Sequence, residues 1–125
     1  VNFGPMDTVP EQYKGRNLYK HNPTVTLMRT TVEENVKIAE HIAEKLNMVE
    51  APAALMLPLG GVSGIDAPGQ PFYGPQEDKA LFDTLKAKIV SDKVEIVEMD
   101  NNINDEEFAI AAARKLIELM ETAGK

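Results

Sequence analysis

The residue types best suited to chemistry gather in and around one run, Leu59-Gly60-Gly61-Val62-Ser63-Gly64-Ile65-Asp66-Ala67-Pro68-Gly69-Gln70-Pro71-Phe72. Gly60 and Gly61 permit positive φ and close backbone approach, Pro68 and Pro71 stiffen the path, and Ser63 and Asp66 supply polar side chains. A connection of this length with fixed-φ residues predicts a ligand-binding loop. It is neither a Walker motif, because no Gly-Lys-Ser/Thr closes it, nor a dinucleotide fingerprint, because the glycine spacing differs. Outside the loop, the Arg29 fork matches a carboxylate or a phosphate, with an ion pair to Asp66 or Asp100 as the structural alternative. His21 and Asp66 form an acid–base pair if their segments converge; a capping or surface histidine is the default reading, and His41, in mid-helix, is structural. Asp66, Asp100 and Asp105 carry oxygen ligands suited to Mg²⁺, but they lie on separate loops where turn and cap roles are the rule, so no metal site is assigned. The ligand-binding candidates are therefore Asn2, His21, Asn22, Arg29, Gly60, Gly61, Ser63 and Asp66, without a designated catalytic residue.

The elements that position these groups follow from periodicity. Val25-Thr26-Leu27-Met28 has strand composition, whereas the stretch from Asn2 to Asn22, interrupted by Gly4, Pro5, Pro10 and Gly15, reads as irregular with a helical turn near Val9 to Lys14. Thr31-Val32-Glu33-Glu34 is a capping box that opens a helix with Ile38, Ile42 and Leu46 on one stripe and Asn47 at its end. Ala53 to Pro58 is apolar without alternation, which predicts a central strand buried on both faces. Pro75-Gln76-Glu77-Asp78 starts a helix with Leu81, Phe82, Leu85 and Ile89 inward. Val94 to Met99 is a strand near an edge, since Glu95 and Glu98 fall on opposite faces. Asn104 to Glu107 caps a helix bearing Phe108, Ala112, Leu116 and Leu119 on one side.

This βαβαβα order predicts an α/β fold, a parallel sheet with helices on its faces, in a single domain spanning 1–125 that is Rossmann-like or flavodoxin-like and part of a larger lobe. Ligands of such sheets sit at the carboxyl ends of the strands. That end holds Arg29 to Thr31, the glycine-rich loop, and Asp100 to Asn104. All three helices start with acidic residues, which would repel an anion at those ends.

At 125 residues the chain supports one core, and its 20 acidic against 13 basic residues, net −7, oppose docking on nucleic acid or anionic lipid. The absence of cysteine excludes disulfides, thiolate zinc sites and cysteine nucleophiles, and fits the cytoplasm. No run approaches the roughly 20 apolar residues of a membrane span. The opening Val1-Asn2-Phe3-Gly4-Pro5, without an initiator Met, reads as the tail of a strand that began earlier.

Three stretches are distinctive. They are Val1 to Pro5 with Thr8-Val9-Pro10; His21-Asn22-Pro23 running into Val25 to Thr30; and Pro58 to Ser63 through Asp66-Ala67-Pro68-Gly69 to Phe72, with Ile103-Asn104-Asp105 and Phe108 completing the pattern. On these the chain resembles the C-terminal part of the tobamovirus-resistance-protein-like ATP-binding family, long catalogued as an uncharacterised protein family. The resemblance implies a two-lobe parent whose ATP site belongs to the other, N-terminal lobe. It implies no cofactor held by this chain alone, and supplies no catalytic residues. The expected function is a ligand-binding C-terminal module of an ATP-linked protein that takes a small molecule and self-associates. The alternatives are an enzyme half-site using Asp66 or His21 for proton transfer, and a structural dimerisation module.

Overall fold

The computed structural model describes residues 1–124, which divide into two compact units, Val1–Thr31 and Val32 onward.

The first unit is a three-stranded antiparallel sheet of β1 (Asn2–Phe3), β2 (Leu18–Asn22) and β3 (Val25–Met28), in the order β1-β3-β2. Two single 3₁₀ turns, Met6–Thr8 and Glu11–Tyr13, follow Pro5 and Pro10, whose fixed φ suits the residue before a turn. Val9 and Met28 are buried, and the Phe3 and Tyr13 rings approach to 5.7 Å. This arrangement corrects two expectations. The stretch before Asn22 contains two strands, and Val25–Met28 pairs antiparallel with both of them rather than parallel with Ala53–Pro58. With a hydrogen-bonded neighbour on each edge, β3 has no edge left for a third partner.

The second unit carries the α/β architecture. Its elements are α1 (Val32–Leu46), β4 (Ala53–Pro58), α2 (Pro75–Lys88), β5 (Val94–Met99) and α3 (Glu106–Ala123). β4 and β5 pair in parallel, in register from Ala53 opposite Val94 to Pro58 opposite Met99. Within the described residues β4 has this one strand neighbour, so the expected central strand is half of a two-stranded sheet. Its unbroken apolar composition has another cause, because helices lie on both faces. Ala39 of α1, Leu57 of β4, and Phe82 and Leu85 of α2 form the core, with Leu55 and Ile96 against it. On the opposite face of β5, Glu95 pairs with Lys115 of α3 at 3.0 Å, while Glu98 on the core face pairs with Lys86 of α2 at 2.7 Å. The two glutamates do fall on opposite faces, each tied to the helix that covers it.

Two apolar stripes differ from expectation. α1 turns Ala39 and Ala43 inward and leaves Ile38 exposed, since small residues let the helix approach α2 closely. α3 buries Phe108 but exposes Leu116. Asp105 stands at the N-cap of α3, yet its carboxylate accepts the Asn102 N–H at 2.8 Å instead of capping the helix.

Asn47 links the far ends of α1 and α2. Its Nδ2 donates to the Lys88 carbonyl, and its Oδ1 accepts the N–H groups of Val90 and Ser91. The residue expected to end α1 therefore also fastens the segment that follows α2.

Candidate functional site

The glycine-rich loop leaves β4 at the carboxyl end of the sheet and is fastened to the segment that leaves β5 there. Leu59 N–H donates to the Met99 carbonyl and Gly60 N–H to the Asn101 carbonyl, extending the parallel ladder past both strands, and Ile103 N–H returns to the Gly61 carbonyl. Asn102 inserts its Nδ2 among loop carbonyls, 2.9 Å from that of Ser63 and 3.2 Å from that of Asp66. The close approach permitted by Gly60 and Gly61 is thus to the chain's own backbone. A Cβ at Gly60 would lie 2.7 Å from the Asn101 carbonyl carbon, and one at Gly61, where φ is +132°, only 1.9 Å from the Asp66 carbonyl oxygen.

Asp66 closes the loop from inside. It is 1% exposed, with Oδ2 accepting Val62 N–H at 3.0 Å and Oδ1 accepting Gly74 N–H at 3.1 Å. Both oxygens of this buried carboxylate accept backbone donors, so it organises the loop. Ser63 Oγ accepts Ile65 N–H at 3.3 Å, a local turn bond. The N–H groups of Gly60, Gly61, Val62, Ile65 and Asp66 all donate to acceptors within these two segments and β4, which leaves none of the five for an anion.

Asn2, His21, Asn22 and Arg29 belong to the first unit. Asn2 pairs with Leu27. His21 is exposed and occupies an irregularity in the β2–β3 ladder, where pairing passes from Lys20–Thr26 to Asn22–Val25 and skips it; its ring lies 6.3 Å from that of Tyr19. Such bulges re-aim side chains. Asn22 Oδ1 accepts the Thr24 N–H and hydroxyl, an Asx turn that shapes the hairpin. Arg29 is half-buried, and its carbonyl accepts from the Arg16 guanidinium at 2.8 Å.

Sequence reasoning missed a cleft beside the loop. About 230 Å³ in volume, it is lined by Leu59, Pro75, Asp78, Lys79, Phe82, Asp83, Lys86 and Glu98, and so opens at the carboxyl end of both parallel strands. Its wall is a chain of ion pairs: Lys79 with Asp83, Lys86 with Asp83 at 3.8 Å, and Lys86 with Glu98 at 2.7 Å. The Lys79 hydrogen bond holds the Asp83 carboxyl below its usual range, and the Glu98 hydrogen bond raises the Lys86 ammonium. The signal in the sequence was the spacing of Lys79, Asp83 and Lys86, which puts all three on one face of α2. Among the described residues no group of three or more metal-ligating side chains converges, and no helix is long and apolar enough to cross a membrane.

A family model described as the uncharacterised protein family UPF0261 C-terminal domain matches residues 1–120. The chain belongs to this family. It is 67% identical over 121 residues to a UPF0261 protein of Clostridium tetani, covering 97% of this chain and 30% of that one. With a UPF0261 protein of Rhizobium meliloti it shares 47% identity over 90% of this chain and 28% of the relative. The ToMV resistance protein Tm-1(GCR237) of Solanum lycopersicum is 41% identical over 95% of this chain and 16% of its own length. The UPF0261 C-terminal domain as it stands here thus spans under a third of each of these relatives, and the resemblance carried by the Val1–Pro5, His21–Thr30 and Pro58–Phe72 stretches agrees with that match.

Proposed function

We propose that this UPF0261 C-terminal domain is a ligand-binding module whose site is the cleft at the carboxyl ends of β4 and β5. The observation that carries the reading is the junction of Leu59 with the charged face of α2, where apolar walls from Leu59, Pro75 and Phe82 meet a ring of fixed charges. Three carboxylates against two ammonium groups line it, which favours a small cationic or zwitterionic molecule over an anion. A nucleotide phosphate would meet acidic first turns at α2 and α3, and backbone donors already engaged in the loop. The same reading assigns ATP, if the intact protein uses it, to residues outside this chain. The cleft is smaller than the roughly 300–1,000 Å³ usual for ligand pockets, which fits a site completed by the remainder of a longer polypeptide. Residence in the cytoplasm belongs to the same reading.

Screening the intact protein against small amines and amino acids by thermal shift tests the proposal. A hit should lose at least about tenfold in affinity on Lys86→Met or Glu98→Gln, with little change in melting of the free protein, because exposed ion pairs contribute about 0–1 kcal/mol. Hits insensitive to both substitutions would place the site elsewhere.

A further inference from the structure

Helix α3 is apolar on two sides. Phe108, Ala112 and Leu119 face inward, while a second stripe recurs at three- and four-residue intervals through Ile110, Ala113, Ile117 and Met120, with Leu116 beside it. The large members of this stripe are uncovered: Ile110 is 43%, Leu116 59%, Ile117 56% and Met120 65% exposed. A surface helix packed on one side needs one apolar stripe, and a second contiguous one is the kind of patch that marks an interaction site.

We infer that this outer face of α3 is a docking face for the remainder of the longer polypeptide, which presents to it an apolar surface edged by basic side chains. Three observations select that occupant over a second copy of the chain. The exposed stripe offers roughly 400 Å², about half of the ~800 Å² per partner in a standard stable interface, so on its own it is too small to hold a dimer. A tethered partner needs less, because linkage converts docking into an intramolecular step, and the relatives carry some 70% of their length beyond the matched region. Glu107 and Glu121 lie on the same helix beside the stripe, the Glu118 carboxylate is already paired with Lys115 at 3.0 Å, and the chain's net charge of −7 opposes a like-charged copy and favours a basic-edged surface. The inference is independent of the cleft and stands or falls without it.

The test uses the intact polypeptide at the length its relatives have. This chain has no cysteine of its own, so Ile117→Cys can be compared with Asp92→Cys, in an exposed turn, by maleimide labelling above the background of the unsubstituted protein. We expect the position at 117 to label at least about tenfold more slowly. Ile117→Glu and Met120→Glu should lower the melting temperature by several degrees with an unchanged sedimentation coefficient. Equal labelling rates at the two positions, or melting unaffected by both glutamates, would overturn the inference. So would a dimer-to-monomer change in sedimentation on either substitution, since the occupant would then be a second copy.

Discussion

Gly61 and Gly69 both sit at positive φ, +132° and +83°, but only one is crowded. A Cβ at Gly69 meets nothing within 4 Å, whereas one at Gly61 would lie 1.9 Å from the Asp66 carbonyl oxygen and 2.8 Å from the Asn102 amide nitrogen. Alanine at Gly69 therefore incurs the backbone term alone, about 1–2 kcal/mol. Alanine at Gly61 incurs that term and must also push apart two segments that Ile103 N–H and Asn102 hold together, an overpacking cost of about 1–3 kcal/mol. The expected losses are roughly 1–2 kcal/mol for Gly69→Ala and roughly 2–5 kcal/mol for Gly61→Ala. Urea unfolding at constant m reads both directly. Equal losses for the two variants would refute the reasoning, because they would mean that Gly61 is needed only for its φ and that the loop is not pressed against the backbone of Asp66.

Asn47→Ala removes three hydrogen bonds, one to the last residue of α2 and two to the segment after it, and should cost about 1–2 kcal/mol in urea melts; Asn47→Asp keeps the acceptor for Val90 and Ser91 and should lose less. Leu57→Asp would bury an unpaired carboxylate in the core, at a site 2% exposed, and should cost several kcal/mol; a variant that melts like the parent would contradict the core assignment. The Asp83 carboxyl is held below its usual 3.8 first by the Lys79 hydrogen bond, so its contribution is present above that value and is lost as pH falls through the lowered one. Asp83→Asn should therefore lower stability slightly at neutral pH, by a small amount because the pair is exposed, with the difference from the parent vanishing in acid so that the acid limb flattens.

The helices were legible because their starts carry local chemistry: Pro75 at the first position of α2, acidic first turns throughout, and Asp105 before α3. β4 and β5 were legible because short apolar runs between turn signals leave few other options. Pairing was not, since the choice between parallel and antiparallel neighbours for Val25–Met28 depends on β1 and β2, one of them two residues long and the other preceded by Gly15. Leu116 misled because α3 is apolar on both sides, so its periodicity does not say which stripe faces the sheet. The glycines and prolines of the stretch from Leu59 to Phe72 mark a connection that carries neither helix nor strand between β4 and α2. What those glycines approach could not be read, because the segment they touch, Asn101 to Asn102, lies about 40 residues away along the chain. The cleft needed the phase of β5 as well as the spacing on α2, as only Glu98, and not Glu95, faces Lys86.

Hydrogen exchange on the intact protein, with and without the tightest compound from an amine and amino-acid panel, tests the central claim most directly. The cleft reading predicts slowed exchange in peptides covering Leu59 to Val62, Pro75 to Lys86 and Ile96 to Met99, and no slowing at the Asn47 end of the sheet. A panel without a binder, or protection that leaves those three peptides unchanged, would contradict it.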